Sequence, residues 1–334
     1  MIYQRAHQIV NDQIFLEMQG LVENSTVYVK LEGLNAAGSI KLKPAIAMIE
    51  DAERRGILTA GGHVIESTSG SLGVAIAMVC AEKGYLFTCV VDPNVSRQSL
   101  RTIRALGAHV VQVRDRDANG GYLGTRIAVI RERLGNDSTL LWLNQYANPA
   151  NPNAHALGTA TSILRELGHV DQVFIGAGTT GTLMGCAEHF RRFSPWTRIV
   201  AVDSVGSVTF GGAAGPRFVP GLGASRRPDI YRSGTADAEV TVPESEAVRM
   251  CRHVARTYGV LVGGSTGTVL AALAQSAEQI PPGSRVAAIS PDMGDRYVDT
   301  VYDDDWVLDT FGPDPLIPYP TARDRAVQNR KVPA

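Results

Sequence analysis

Apolar residues follow two alternating spacings along the first half of the chain. Short runs that are β-branched or alternate in polarity predict strands, and longer segments with apolar residues every three or four positions predict helices. The predicted strands cover residues 26–32, 63–67, 86–91 and 109–113, and the predicted helices cover residues 44–55, 74–84 and 96–108. Strands separated by helices form parallel sheets with helices packed on their faces. The pattern therefore predicts an α/β fold.

The second half of the chain resumes this alternation after an interruption. Residues 144–155, NQYANPANPNAH, contain two Asn-Pro pairs, which disfavour helix and central strand and predict a linker or a site loop. Beyond them, the pattern predicts strands at residues 172–178, 197–203 and 285–290 and helices at residues 182–193, 245–259 and 268–279. From Asp303 onward the chain is rich in Asp and Pro, and we expect an extended or partly disordered tail.

Composition and charge narrow the classes of function. The 334 residues suggest two domains, and 44% apolar residues are enough for large buried cores. Because 32 Lys and Arg balance 33 Asp and Glu, we expect neither nucleic acid nor membrane partners. The N-terminus lacks a signal-peptide pattern and no apolar run approaches the roughly 20 residues that span a bilayer, so we expect a cytoplasmic protein. The four cysteines are widely spaced, which favours buried free thiols over disulfides or a metal site.

Two loops rich in glycine and hydroxyl groups stand at predicted strand-to-helix junctions. In GTTGT, residues 178–182, the glycines allow close approach while N–H groups and hydroxyls converge at a helix N-terminus, an arrangement suited to a phosphate monoester. In TSGSLG, residues 68–73, free hydroxyls and N–H groups suit a carboxylate. Each loop taken alone is about equally consistent with an ordinary turn or helix cap. Both lie where open parallel sheets bind ligands, at the carboxyl ends of strands.

A lysine follows a glycine-serine turn in LNAAGSIKLKPA, residues 34–45. This lysine, TSGSLG, QYANPANP, GTTGT and the late segment PDMGDRY occur in the order and at the spacing of the cysteine synthase family, which the chain resembles from about Asp12 to Tyr302. That family consists of pyridoxal-phosphate enzymes of fold type II, the tryptophan synthase β-like fold of two three-layer αβα domains. The resemblance implies a smaller mobile domain at residues 39–148, a larger cofactor-binding domain at residues 1–38 and 149–310, and a C-terminal tail at residues 311–334.

The resemblance also assigns roles to residues. It implies that Lys41 forms the Schiff base with pyridoxal 5′-phosphate and moves the α-proton of the substrate, for which desolvation of the amine is favourable. Lys43 is the rival lysine by proximity. The implied cofactor-binding residues are Lys41, Ser71, Gly178, Thr179, Thr180, Gly181, Thr182 and Ser265. The implied residues for the substrate carboxylate are Ser67, Thr68, Ser69, Gly70 and Gln145.

Two positions depart from the family pattern. Ser71 stands where the family typically carries an asparagine that contacts the ring hydroxyl of the cofactor. Met293 stands where we expect the serine that faces the pyridine nitrogen, so Ser265 in GGSTGT is the candidate partner for that nitrogen. Neither departure removes the lysine or the phosphate loop.

Four segments, NQYANPANP, GTTGTLMG, VDSVGSVTFGG and PGLGASRRPD, look most like the branch of the superfamily that makes N-(2-amino-2-carboxyethyl)-L-glutamate. Those enzymes eliminate phosphate from O-phospho-L-serine and add the amine of L-glutamate to the resulting aminoacrylate, for L-2,3-diaminopropionate in siderophore or peptide-antibiotic synthesis. By this resemblance Arg126, Tyr146 and Thr179 hold the leaving phosphate, although a solvated helix arginine and a packed tyrosine are the plain alternatives. Arg217, Arg226 and Arg227 either receive a glutamate carboxylate or cover a loop, and His155 receives no role.

Two other functions stay open on the sequence. One is a cysteine synthase that uses sulfide with O-acetylserine or O-phosphoserine. The other is a catalytically weak paralogue that binds pyridoxal phosphate or an amino acid and acts as a regulatory protein. Because glutamate needs a cationic acceptor pocket and sulfide does not, arginines that line the cleft would separate the two enzymes. A homodimer is the usual assembly of the family.

Overall fold

The computed structural model of the chain describes residues 2–68, 70–118 and 120–319. Its strands are β1 Phe15–Glu17, β2 Thr26–Leu31, β3 His63–Ser67, β4 Leu86–Val91, β5 His109–Gln112, β6 Leu140–Trp142, β7 Gln172–Gly176, β8 Arg198–Ser204, β9 Ala238–Val242 and β10 Arg285–Ser290. Its α-helices are α1 Leu42–Arg54, α2 Ser71–Lys83, α3 Arg97–Ala105, α4 Leu123–Asn136, α5 Ala150–Ala154, α6 Thr161–Leu167, α7 Gly181–Phe193, α8 Glu244–Tyr258, α9 Gly264–Gln275 and α10 Asp304–Phe311. The predicted alternation of strands and helices is confirmed.

The strands form two sheets. One has six strands in the order β1-β2-β10-β7-β8-β9, and only β1 runs antiparallel to its neighbour. The other has four parallel strands in the order β5-β4-β3-β6. Since parallel strands require crossover helices, the sheets carry helices on their faces, and the predicted α/β class is confirmed. The predicted domain boundaries, after residues 38, 148 and 310, stay a prediction.

Helices α2 and α9 are buried on nearly all sides, because their sequences are apolar around the whole circumference. In α9, Val269, Leu270 and Leu273 are fully buried in the core of the six-stranded sheet. Burial of each such side chain contributes about 1.5–3 kcal/mol relative to exposure. Both helices begin earlier than the apolar pattern indicated, at Ser71 and Gly264, so the loops predicted to bind ligands continue directly into helix N-termini.

The prediction of a non-helical segment at residues 144–155 is wrong for its second half. Helix α5 begins at Ala150 and continues through a π-helical turn, His155–Ala160, into α6. Pro152 lies in the first turn of α5, where its missing N–H group costs no intrahelical hydrogen bond. The Asn148 side chain accepts a hydrogen bond from the Ala150 N–H group at 3.0 Å and so helps to start the helix.

The extended tail predicted from Asp303 is also wrong in its first part. Asp303 caps α10, because its carboxylate accepts a hydrogen bond from the Trp306 N–H group at 2.7 Å. Val307 then packs into the core of the six-stranded sheet. The end of the predicted tail, residues 320–334, lies outside the described residues. Among the described residues, no helix combines the length and the apolar character needed to cross a membrane.

Candidate active site

A cleft of about 770 Å³ opens at the carboxyl ends of strands from both sheets. Residues that line it include Lys41, Thr68, Asp92, Arg126, Thr179 and Asp292. Most of these side chains lie within three residues of the end of a strand: Thr68 after β3, Asp92 after β4, Thr179 after β7 and Asp292 after β10. This is the edge at which parallel sheets bind ligands, because backbone groups and helix N-termini converge there.

Lys41 stands at the entrance to α1 and lines the cleft. Within the described residues its ammonium makes no hydrogen bond or ion pair. Burial lowers the pKa of Lys41, and the charge of Asp292 opposes that shift. A lysine in this setting holds a larger neutral fraction than a solvated one, which is the form that attacks an aldehyde.

Lys43, the rival lysine, points away from the cleft into a buried group of charges. Its ammonium bonds to Asp12, to Glu32 Oε1 at 2.7 Å and to Thr159 Oγ1 at 3.0 Å. Lys30, only 1% exposed, joins the same group. Lys43 therefore links the N-terminal segment, β2, α1 and the π-helical turn. Lys41, in contrast, is available to a ligand.

The glycine loop after β7 forms a cradle in the cleft. Gly178, Thr179, Thr180, Gly181 and Thr182 all line it. A Cβ atom at Gly178 would lie 2.9 Å from the Gly221 carbonyl oxygen, so only glycine fits there. Thr180 has φ 66°, a conformation that β-branched residues rarely adopt, and its Oγ1 is buried without a partner among the described residues. An orphaned hydroxyl at the N-terminus of α7 fits the phosphate monoester of the implied cofactor.

Replacing Thr180 by glycine is expected to separate the strain of this loop from its binding role. Glycine relieves the left-handed conformation, so the free energy of unfolding of the cofactor-free protein should stay level or rise by up to about 1 kcal/mol. Cofactor affinity should fall about tenfold, because one hydrogen bond to a charged phosphate is lost. Chemical denaturation without cofactor and fluorescence titration with pyridoxal phosphate measure the two effects. A loss of stability without loss of affinity would contradict the assignment.

The loop after β3 lies against the opposite wall. Thr68, Gly70 and Ser71 line the cleft, and Thr68 Oγ1 accepts hydrogen bonds from two N–H groups of the turn, those of Gly70 and Gly73. Ser67 does not line the cleft; its carbonyl oxygen accepts a hydrogen bond from Gln145 Nε2 at 2.6 Å. Ser69 lies outside the described residues. Gln145 itself lines the cleft, so the structure brings the loop and the glutamine to one wall.

Glu66, which the sequence analysis missed, ties this wall together. Its buried carboxylate accepts hydrogen bonds from the N–H groups of Ser67 at 2.7 Å and Gln145 at 3.2 Å and from Trp142 Nε1 at 3.2 Å. Burial raises the pKa of Glu66 to about 7, against the effect of these donors. In the sequence Glu66 is a single polar residue inside a predicted strand, and its position gave no signal that it contributes to the site.

Arg126 is 5% exposed and lines the cleft from α4. Its Nε lies 3.4 Å from Asp92 Oδ2, too far for a strong bond, and Nε and Nη1 have no hydrogen-bond partner within the described residues. Tyr146 lies beside it: burial raises the pKa of Tyr146, and the charge of Arg126 opposes the rise. A buried guanidinium with unused donors is costly unless an anion completes it.

The remaining candidates divide between the cleft and other places. Ser265 lies in the first turn of α9 and lines the cleft, whereas Met293 is not among the cleft-lining residues and pairs through its backbone with Val262. Of the three arginines around residue 220, Arg217 lines the cleft. Arg226 and Arg227 line a separate small hollow of about 30 Å³.

Several cleft residues received no role in the sequence analysis. These are Asp92, Arg116, Asp292 and Arg296, of which Asp292 and Arg296 lie within the segment PDMGDRY. Asp92 and Asp292 had one further signal, since each comes within two residues of the end of a parallel strand. Arg116 is brought to the cleft by a loop and Arg296 by a short 3-10 helix, and the course of both depends on tertiary packing. The cleft therefore carries more charge than the motifs alone indicated.

Comparisons with known proteins identify the family of the chain. A family model described as pyridoxal-phosphate dependent enzyme matches residues 14–292, more than half of the chain. The N-(2-amino-2-carboxyethyl)-L-glutamate synthase of Ralstonia nicotianae is 43% identical over 282 residues, which cover 84% of this chain and 83% of that protein. The protein of the same name from Cupriavidus metallidurans is 41% identical over 288 residues, covering 85% and 84%.

A solved structure shows the same architecture. The crystal structure of an O-ureido-L-serine synthase matches with a TM-score of 0.84 and 31% sequence identity, covering 93% of this chain and 100% of that one. The resemblance to the cysteine synthase family is thereby confirmed, and with it the cofactor. The chain belongs to the family of pyridoxal-phosphate dependent enzymes, has their fold type II, and is a β-substituting synthase whose cofactor is pyridoxal 5′-phosphate.

Proposed function

We propose that this enzyme joins O-phospho-L-serine to the α-amino group of L-glutamate and releases phosphate, giving N-(2-amino-2-carboxyethyl)-L-glutamate. The two relatives that carry this product in their names support the proposal, since each is more than 40% identical to the chain. The assembly as a homodimer, the cytoplasmic location and a place in siderophore or antibiotic synthesis belong to the same proposal. They rest on the family resemblance alone.

The observation that carries the choice of donor is the guanidinium of Arg126, of which Nε and Nη1 have no hydrogen-bond partner among the described residues, although Asp92 Oδ2 lies 3.4 Å from Nε. A phosphate dianion in a closed site needs donors that are already buried and correctly placed. Arg126 offers Nε and Nη1 in the cleft, with Tyr146 beside it and Thr179 on the facing loop. A neutral acetyl ester has no group that would use two charged donors. The geometry thus favours O-phosphoserine over O-acetylserine.

The charge of the whole cleft supports a dicarboxylate acceptor. The charged side chains among the described residues that line it are Lys41, Arg116, Arg126, Arg217, Arg296, Asp92 and Asp292. Even without Lys41, four arginines face two carboxylates, in a protein whose overall formal charge is −1. A surplus of this kind concentrates anionic substrates in a cleft, whereas sulfide needs no such lining.

The residues divide the work of the reaction among them. When bound, pyridoxal phosphate acts as an electron sink that makes the α-proton of an attached amino acid acidic. The loop from Gly178 to Thr182 would hold its phosphate, and Lys41 Nζ would take the α-proton and return it later. The wall of Thr68, Gly70 and Gln145 would hold the substrate carboxylate. Arg126 would stabilise the phosphate as the β-carbon to oxygen bond breaks.

We also propose that residues 39–148 move as a smaller domain and close over the substrates. The cleft is lined from both sheets, so a movement of one sheet toward the other would narrow it. Exclusion of water would protect the reactive β-carbon from hydrolysis before the amine arrives.

An absorbance titration tests the proposal. The purified enzyme with its cofactor receives O-phospho-L-serine, and L-glutamate or sulfide is then added in separate cuvettes. We expect the visible band of the cofactor to change with the donor and to return with glutamate. Mass spectrometry of the glutamate sample should show the new amino acid with one equivalent of phosphate.

The other outcomes are equally informative. Return of the band with sulfide alone would identify a cysteine synthase and overturn the choice of acceptor. A change with O-acetyl-L-serine and none with O-phospho-L-serine would overturn the choice of donor. No change with either donor would favour a binding protein without this activity.

A further inference from the structure

Addition of glutamate to the β-carbon requires a base that the roles above do not supply. At neutral pH the α-amino group of glutamate is an ammonium and has no lone pair with which to attack. Lys41 cannot take its proton, because Lys41 already holds the proton removed from the α-carbon and must give it back. A second proton acceptor in the cleft would free this lone pair while Lys41 holds the α-proton.

Asp292 has the geometry of such an acceptor. It lines the cleft, is 5% exposed, and lies two residues after the end of β10, in the middle of the six-stranded sheet. Tyr297 donates a hydrogen bond from its hydroxyl to Asp292 Oδ2 at 2.5 Å, whereas Oδ1 is buried without a partner among the described residues. An unsatisfied buried carboxylate oxygen is costly, and a donor from a ligand would remove that cost.

Backbone pairing places this carboxylate beside the catalytic lysine. Asp292 forms an isolated bridge with Ser39, and the Ile40 N–H group donates to the Pro291 carbonyl at 2.7 Å. The side chain fills space that Gly263 leaves open, since a Cβ atom at Gly263 would lie 1.9 Å from Asp292 Oδ1. The carboxylate is thus fixed on both sides, with Oδ1 packed against Gly263 and with Lys41 near enough for the charge of Asp292 to oppose the fall in the lysine pKa.

We propose that Asp292 is the general base that takes a proton from the α-ammonium of the amino-acid acceptor. The inference rests on the proposed function, because sulfide would not need this step. Oδ1 accepts one of the three ammonium protons, and the freed nitrogen lone pair forms the new carbon–nitrogen bond. The nitrogen keeps its two other protons as a secondary ammonium. The expelled phosphate takes a proton from solvent and leaves as hydrogen phosphate. Lys41 returns its proton to the α-carbon, and Asp292 releases its own to solvent when the product leaves.

The surroundings of Asp292 keep it ionised at neutral pH. Burial raises its pKa to about 6, while the Tyr297 hydroxyl, Arg296 and Lys41 lower it and Asp295 raises it slightly. A carboxylate with a pKa of about 6 is mostly deprotonated at pH 7 and still able to hold a proton for part of the cycle.

The test compares two nucleophiles in one variant. Asp292→Asn enzyme is loaded with O-phospho-L-serine and mixed rapidly with glutamate or sulfide, and the return of the cofactor band is timed. We expect the ratio of the glutamate rate to the sulfide rate to fall about 100-fold or more, in the range of general-base effects. If the rate fell equally with glutamate and with sulfide, and the visible band of the cofactor were shifted in the resting enzyme, the inference would be overturned. Asp292 would then act on the cofactor. An unchanged ratio would overturn the inference as well.

A second variant keeps the inference testable if Asp292→Asn does not fold. Tyr297→Phe keeps the carboxylate but removes its donor, so the pKa of Asp292 should rise. The wild-type glutamate step should speed up as pH rises through about 6, and this midpoint should move upward in the variant. Identical profiles would contradict the inference. If glutamate never discharges the wild-type enzyme, the proposed function fails instead, whatever the variants do.

Discussion

Replacing Lys41 by alanine is expected to remove turnover and covalent attachment of the cofactor together. Proton transfer by a positioned base alone accounts for about 10²–10⁴-fold in rate, and the variant also loses the amine that binds the aldehyde. Reduction with borohydride followed by peptide mass spectrometry should label the wild type at Lys41 and leave the variant unlabelled. Non-covalent binding of pyridoxal phosphate should persist, because Gly178 to Thr182 still hold the phosphate.

Lys43→Ala is the matched control, because that lysine stands only two residues away and makes the opposite kind of contacts. Its removal leaves the buried Glu32 and the partly exposed Asp12 with only the longer contacts to Lys30, and breaking a buried ion pair costs about 3–5 kcal/mol. We expect the free energy of unfolding to fall by this order while borohydride still labels Lys41. Labelling at residue 43 in the Lys41→Ala variant would overturn the assignment.

Most strands and helices of this fold could be predicted from the sequence. Hydrophobic spacing is a local property, so β3, β4 and β10 are found at their predicted bounds. The strands that were missed, β1, β6 and β9, are short or lie at sheet edges, where a partner in space stabilises a run that has little pattern of its own. The helical start at Ala150 was missed because proline disfavours helices in general and is tolerated in the first turn.

Some residues of the candidate site could be predicted from motifs, and others could not. Lys41, the two glycine loops and Gln145 occur in motifs, and the structure brings them to one cleft. Asp292 and Glu66 acquire their character from burial and from donors that are distant in the chain, such as Trp142 at the end of β6. Residue spacing cannot predict a buried oxygen that lacks a hydrogen-bond partner, because its partners come from segments that are distant in the chain.

Arg126 offers the sharpest test of donor choice. Arg126→Met keeps the length of the side chain and removes the guanidinium, so we expect kcat/KM for O-phospho-L-serine to fall about 10²–10³-fold, since each hydrogen bond between charged groups contributes about 1.5–3 kcal/mol. The value of kcat/KM for O-acetyl-L-serine should change far less, because its ester carries no charge. The decisive quantity is the ratio of the two constants, measured by release of phosphate and of acetate.

Two further variants separate charge from geometry. Arg126→Lys should restore part of the ratio, because an ammonium supplies the charge without the planar set of donors. Arg131→Met, an exposed arginine on the same helix α4, is the control and should leave the ratio unchanged. A parallel loss with both donors in Arg126→Met would mean that the guanidinium only supports Asp92 and Tyr146 in the wall of the cleft. In that case Nε and Nη1 of Arg126 do not bind the leaving phosphate, and O-phosphoserine is not the preferred donor.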